Sequence, residues 1–191
     1  MYQKYQTDAL VLGAWEQGEA DKTFVLYTQD FGLVRARATS VRSEKSKMRY
    51  ALQSYSRANV ALIKGKRGWR LAGAIAIKSA RGKDRAAIAV FARMSDLLAR
   101  LIAGEEQNDY LFAALAAAHD ALMTDRVEAP ATIEIVLAAR VLYALGYISA
   151  EALETALFTH TAYGDAELLE AENMKEGLLA SINRAISQTH L

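Results

Sequence analysis

The spacing of apolar residues changes near residue 80, and this change constrains the fold more than any other feature of the sequence. Before it, short runs rich in β-branched, aromatic and small apolar residues are separated by glycine or polar breaks. These runs are Thr7–Trp15, Thr23–Thr28, Leu33–Thr39, Leu52–Ile63 and Trp69–Ile77. Five such strands at hairpin spacing predict a small closed barrel, for which the five-stranded OB-fold is the leading interpretation and an SH3-like barrel the alternative. The last run is apolar on both faces, so we expect it to be covered on both sides.

Beyond residue 80, long segments rich in Ala and Leu repeat apolar residues at spacings of three and four, which predicts helices. The predicted helices cover residues 85–103, Tyr110–Met123, Pro130–Leu145, Ala150–Phe158 and 167–188, the last as one helix or two. Asp84 is a suitable N-cap for the first helix, and Pro130 suits the first turn of the third. The predicted fold class is α+β, with a barrel domain over residues 1–80 and an all-α helical domain over residues 81–191.

Charge is divided unequally between these two halves. Residues 1–85 contain 17 of the 23 Lys and Arg but only 7 of the 22 Asp and Glu, a balance of +10, whereas residues 86–191 have a balance of −9. Like charges at this density repel one another, and a polyanion offsets the repulsion because neutralised phosphates release their counterions. The basic half is therefore interpreted as binding a polyanion, with a merely solvated basic face as the alternative.

Two segments concentrate these cations. Residues 40–49 show no apolar period and predict a mobile basic loop, whereas Gly65–Gly68 predicts a cationic hairpin tip. In such a barrel, cations follow the phosphates of a nucleic-acid strand while aromatic rings such as Trp69 and Tyr55 stack on its bases, although aromatic residues in strands belong more often to the core. The candidate DNA-binding residues are Arg35, Arg37, Arg42, Lys45, Lys47, Arg49, Arg57, Lys64, Lys66, Arg67, Trp69 and Arg70.

Arg35 and Arg37 alternate with apolar residues on the third predicted strand. Side chains two residues apart on a strand share a face, so we expect these arginines to project together, about 7 Å from each other. The alternative is a salt-bridged surface strand, which requires nearby carboxylates.

Signatures of catalysis are missing from the sequence. There is no Walker A, GxGxxG or GxSxG motif, and His119, His160 and His190 lie far apart in the chain. Because the chain has no cysteine, it cannot form a disulfide or a thiolate zinc site. The carboxylates between residues 16 and 30 offer a Mg²⁺-dependent nuclease as an alternative, but turn formation explains them equally well. We therefore expect no enzyme activity, no catalytic residue, no metal and no cofactor.

The sequence also carries a prediction about location. No apolar run approaches the roughly 20 residues that a membrane span needs, and residues 1–8 are polar rather than typical of a secretory signal. We expect a cytoplasmic protein.

Several short motifs occur in a recognisable order along the chain. They are Thr7–Leu12 (TDALVL), Gly18–Lys22 (GEADK), Leu26–Thr28 (LYT), Phe31–Gly32, Ser40–Ser43 (SVRS), Ala51–Ser56 (ALQSYS) and Tyr143–Tyr147 (YALGY). In order and spacing they resemble the bacterial RecO family of DNA-repair proteins and recombination mediators. The resemblance covers about residues 1–147, and it departs from the family in three respects, one of which is that the chain is short. Many members carry a four-cysteine zinc module that this chain lacks, and Ser54 stands where the family commonly has Pro.

The resemblance implies an N-terminal OB-fold, a helical C-terminal domain and a recombination mediator that binds single- and double-stranded DNA, anneals complementary strands and helps load a recombinase onto DNA coated with single-stranded-DNA-binding protein (SSB). It implies a RecR-like mediator and the C-terminal tail of SSB as partners, no membrane partner, and a nucleoid-associated location in bacteria. An alternative function is an adaptor whose helical domain binds those partners, with DNA contact secondary. The family's basic positions fall on Arg35, Arg37, Arg42, Lys45, Lys47 and Arg49.

Overall fold

The computed structural model describes residues 3–44, 46–125, 127–150, 153 and 155–189. These residues form two compact units. The first comprises the described part of Met1–Gly82 together with Ile102–Asn108, and the second comprises that of Lys83–Leu101 and Asp109–Leu191. The first unit therefore includes a short segment that the sequence analysis assigned to the helical domain. The division into a DNA-binding and a helical domain stays a prediction.

Five strands close a barrel in the first unit. They are β1 (Lys4–Gln17), β2 (Asp21–Thr28), β3 (Gly32–Ala38), β4 (Arg57–Gly65) and β5 (Gly68–Lys78). The strand order is β1-β2-β3-β5-β4, with every neighbouring pair antiparallel except β3 and β5. The long β1 pairs with β2 through its C-terminal part and with β4 through its N-terminal part, and a bulge lies between Val11 and Gly13. The predicted OB-fold-like barrel followed by helices is confirmed.

The barrel core follows the alternation of side chains along the strands. Residues two apart point to the same side of a strand, so one face of each strand supplies the apolar interior. The interior is built from Ala9, Val11, Phe24, Leu26, Val34, Ala36, Ala38, Ala58, Val60, Leu62, Trp69 and Leu71, with Val41 and Leu52 from the loops. On β3, the same alternation turns Arg35 and Arg37 outward while Ala36 and Ala38 are buried. The expected shared face of these two arginines is confirmed.

The connection between β3 and β4 differs from its prediction. Residues 52–56 are not strand, and a four-residue helix, α1 (Met48–Ala51), lies in the segment predicted as a mobile basic loop. Met48 packs against the barrel core and Leu52 is buried in it, so two isolated apolar side chains hold the helix in place. A periodicity argument cannot detect a helix of one turn.

The end of β5 also differs from its prediction. Ile75 is 73% exposed and Ile77 is 47% exposed, so this part of the strand is not covered on both sides. Its pairing explains the exposure, because β5 contacts β3 only at Trp69 and Arg70, and the residues beyond pair with β4 alone.

The segment Ile102–Asn108 packs against the turn between β2 and β3. Gly32 has a left-handed φ of +61°, and a Cβ at this position would lie 2.1 Å from the backbone oxygen of Glu106. Only glycine allows this approach, because a real Cβ never comes so close to another atom. The segment therefore contacts the barrel through backbone atoms.

The second unit is helical. Its helices are α2 (Arg85–Leu101), α3 (Asp109–Leu122), α4 (Pro130–Ala144), α5 (Asp165–Asn173) and α6 (Lys175–Gln188). Asp84 caps α2 by accepting hydrogen bonds from the N–H groups of Ala86 and Ala87, as predicted. The predicted helix over 150–158 falls partly outside the described residues, and its described part contains a 3-10 turn, Ala156–Phe158. In the described part of the chain, no helix combines the length and apolar character that a membrane crossing requires.

Candidate nucleic-acid interface

The register of three barrel strands brings predicted cations together on the outer surface. Thr23 lies opposite Arg37 in the β2–β3 pair, and Arg37 lies beside Arg70 in the β3–β5 pair. Residues directly opposite each other on neighbouring strands share a face, with Cβ atoms about 5 Å apart. Arg35 joins them two residues earlier on β3. The barrel therefore places three arginines from two non-consecutive strands side by side.

The hairpin between β4 and β5 adds two more cations. Lys66 and Arg67 form its exposed tip, and Gly65 pairs with Gly68 at its base. Gly68 has a φ of +97°, a conformation that residues with a Cβ rarely adopt, so the tight turn depends on this glycine. The turn places the predicted hairpin tip next to the arginines of β3 and β5.

Together these residues line a groove of about 780 Å³ on the barrel. Its charged lining consists of Arg35, Arg37, Lys66, Arg67 and Arg70, and its polar lining includes Gln17, Thr23 and Thr39. The described lining contains no carboxylate. Five cations at one groove create a strong local positive potential, which attracts anions and binds phosphates by displacing their counterions. We call this surface the basic groove.

Arg37 is the groove cation that carries an ion pair. Its Nε and Nη2 donate to Asp21 Oδ2 at 3.1 and 2.6 Å. The N–H of Ser40 donates to Oδ1 of the same carboxylate at 2.8 Å, and this bond, followed by the one from Arg37, lowers the pKa of Asp21. Asp21 therefore remains ionised at neutral pH and holds Arg37 at the groove wall. For Arg35, Lys66, Arg67 and Arg70, the described residues show no ion pair with a carboxylate.

Three other predicted cations lie in ion pairs away from the basic groove. Arg42 pairs with Glu16 at 3.2 Å, Arg57 with Asp8 at 3.2 Å, and Lys64 with Glu105 at 2.8 Å. Each carboxylate offsets part of the positive charge, so these side chains attract a phosphate less strongly than the unpaired cations of the basic groove. The salt-bridged alternative that the sequence left open for Arg35 and Arg37 applies to Arg37, which pairs with Asp21.

The remaining cations of the β3–β4 connection do not line the basic groove. Arg49 donates to the hydroxyl of Tyr50 at 2.7 Å, and its guanidinium lies 4.8 Å from the centre of that ring. This hydrogen bond lowers the pKa of Tyr50. Lys47 is exposed at the start of α1, and Lys45 lies outside the described residues.

Trp69 is largely buried in the barrel core and borders the basic groove. Its ring is 6% exposed and packs against Phe31 and Tyr5, with ring centroids 5.0 and 5.8 Å away. Lys64 lies 5.0 Å from the ring centre, so the indole also contacts a cation. The burial of Trp69 favours the core interpretation of this aromatic residue, and base stacking by Trp69 stays a prediction.

Trp15 was overlooked in the sequence. It is 47% exposed and lies opposite Thr23, whose side chain lines the basic groove. A strict alternation along β1 does not reveal its direction, because the bulge between Val11 and Gly13 shifts the pattern. An aromatic residue next to the Gly18 turn, beyond the continuous apolar run, was the available signal.

Comparison with known proteins agrees with this geometry. Residues 1–80 match the family model described as the N-terminal domain of recombination protein O. The barrel is therefore similar to the RecO N-terminal domain. The curated protein "DNA repair protein RecO" of Desulfitobacterium hafniense is 39% identical over 62 residues, and that of Pelotomaculum thermopropionicum is 37% identical over 62 residues.

Both alignments cover 32% of this chain and 23% and 24%, respectively, of the two relatives. The aligned part thus spans less than a quarter of the length of the curated RecO proteins. The RecO resemblance is confirmed for the barrel, which contains the basic groove.

Proposed function

We propose that this chain binds DNA along the basic groove and acts as a recombination mediator in DNA repair. One observation carries the proposal: five cations from three parts of the barrel line one groove whose described lining has no carboxylate. The match to the RecO N-terminal domain supports a role in repair and recombination. A strand in the groove releases counterions from its phosphates, which provides affinity without reading the base sequence.

Annealing of complementary strands is the activity that this groove serves. Two DNA strands repel each other through their phosphates before they pair, and a cationic surface screens this repulsion and raises the local concentration of both strands. No covalent bond is made or broken, so the proposed activity needs no catalytic residue and no cofactor. Among the described residues, no group of three or more His, Asp or Glu side chains is placed to hold a metal ion.

The proposed partners are those of the family that the barrel resembles. We include a RecR-like mediator, the C-terminal tail of SSB and loading of a recombinase onto SSB-coated DNA in the proposal. The alternative, an adaptor that contacts DNA only secondarily, predicts that loss of the groove cations leaves annealing on SSB-coated strands unchanged.

An annealing assay on complementary oligonucleotides, with and without SSB, tests the proposal. The groove variant Arg35→Gln/Arg70→Gln should anneal naked and SSB-coated strands more slowly than the wild type. The matched control Arg100→Gln/Arg184→Gln removes the same charge from exposed positions in the second unit and should anneal like the wild type. Equal rates for the two variants would overturn the groove as the annealing surface. Slower annealing of naked strands with unchanged annealing of SSB-coated strands would favour the adaptor.

A further inference from the structure

The exposed tryptophan of the barrel has no partner in the core. Trp15 is 47% exposed, whereas the other tryptophan, Trp69, is 6% exposed and fixed by neighbouring rings. Exposure of a large ring on a strand costs the stabilisation that burial of its apolar surface would provide. A function at the surface is the simplest reason to retain this side chain there.

Strand register places Trp15 in line with the groove arginines. Trp15 lies opposite Thr23, Thr23 lies opposite Arg37, and Arg37 lies beside Arg70. Directly paired residues share one face of a sheet, so the indole and the two guanidinium groups project from the same outer surface of the barrel. Neighbouring strands lie about 4.8 Å apart, which puts Trp15 two strands from Arg37 and three from Arg70.

The surroundings of Trp15 leave room next to its ring. Gly13 precedes it by two residues on the same face, and a Cβ built at Gly13 would meet no atom within 4 Å. Thr23 across the strand pair is a small residue whose hydroxyl donates to Gln17 at 2.9 Å. The space along this face is therefore open on the side of Gly13, where a flat ring can lie against the indole.

We propose that Trp15 forms a base-stacking subsite for a nucleic-acid strand whose phosphates lie in the basic groove. The inference rests on the proposed function and adds to it the residue that contacts unpaired bases. Stacking needs an accessible base face, which a continuous duplex does not offer because neighbouring base pairs cover it. Every base has such a face, so this subsite favours single strands without selecting a sequence.

Tryptophan fluorescence tests the subsite directly. In the full-length Trp69→Phe variant, Trp15 is the sole remaining tryptophan, and the Phe ring keeps an aromatic side chain in the core. Titration with a 20-nucleotide dT oligomer should quench this fluorescence. An abasic oligomer of the same length has the phosphates without the bases and should bind without quenching, as followed by anisotropy of an end label. If this variant does not fold, the wild type and Trp15→Phe are titrated in parallel, and the difference between their fluorescence changes reports on Trp15.

Affinities of Trp15→Ala complete the test. Loss of one stacked base should weaken binding of the dT oligomer by about 5- to 150-fold, while binding of the abasic oligomer changes less than about twofold. Tyr50→Ala is the control, because Tyr50 is an exposed aromatic residue outside the groove lining. Equal losses for both oligomers, or no quenching by bound dT oligomer, would overturn the subsite alone. Absence of any DNA binding by the wild type would instead overturn the proposed function.

Discussion

The salt dependence of DNA affinity provides the sharpest test of the basic groove. The perturbation is Arg67→Gln/Arg70→Gln, which removes two of its five cations. Both side chains are exposed and line the groove, so their removal leaves the core intact. Arg70 also lies directly beside Arg37, a like-charge pair that opposes folding, so the variant should be at least as stable as the wild type.

The magnitude follows from counterion release. Each phosphate neutralised on a single strand contributes about 0.7 to the slope of log affinity against log salt. Arg37 is engaged by Asp21, so the four other groove cations give a slope near −2.8, and the two that remain in the variant give about −1.4. Between 50 and 200 mM salt, these slopes correspond to losses of about 50-fold for the wild type and about 7-fold for the variant. The variant should therefore bind more weakly at low salt and lose less affinity as salt increases.

Fluorescence anisotropy of an end-labelled dT oligomer, repeated at four or more salt concentrations, measures both slopes. The control is Arg100→Gln/Arg184→Gln, which changes the net charge by the same amount at exposed positions of the helical unit. It should keep the wild-type slope. A groove variant with the wild-type slope, or a control with an equally reduced slope, would refute the assignment of phosphate contacts to the basic groove.

Three further predictions concern individual contacts. Asp21→Asn releases Arg37, so DNA affinity should rise and the slope of log affinity against log salt should steepen by about 0.7. An unchanged slope would show that Asp21 does not compete with phosphates for Arg37. Gly32→Ala should lower the free energy of unfolding in urea by more than about 2 kcal/mol, because a clash with the backbone of Glu106 adds to the strain of positive φ. Gly18 has a similar φ but open space around it, so the control Gly18→Ala should cost about 1 kcal/mol. Equal costs would contradict the backbone contact. The hydrogen bond from Lys64 lowers the pKa of Glu105. This pair therefore stabilises the fold above the ordinary carboxyl pKa, and the stabilisation is lost as the pH falls through the lowered pKa of Glu105. Lys64→Met should raise the Glu105 pKa in an NMR titration, and an unchanged pKa would exclude the pair in solution.

Local patterns in the sequence were sufficient for most of the elements. The strands β2, β3 and β5 and the helices α2, α3 and α4 lie within a few residues of their predicted positions, because alternation and a spacing of three or four are properties of each segment itself. The start of β4 and the helix α1 were missed. Both depend on where Met48 and Leu52 find space in the barrel, which is decided by strands distant in sequence.

The candidate site shows the same limit more clearly. Composition revealed the excess of cations, but it did not distinguish Arg35 and Arg70, which line the groove, from Arg42 and Arg57, which pair with carboxylates. Those carboxylates lie 26 and 49 residues away along the chain, at Glu16 and Asp8, and only strand pairing brings them close.

By itself, the sequence determined that this protein has a basic barrel followed by acidic helices, because side-chain periodicity and net charge are sums over neighbouring residues. Tertiary structure decided which cations share a groove and which tryptophan faces solvent. Those properties depend on register between strands, and the β1 bulge and the short parallel pairing of β3 with β5 set that register through contacts that no local pattern encodes.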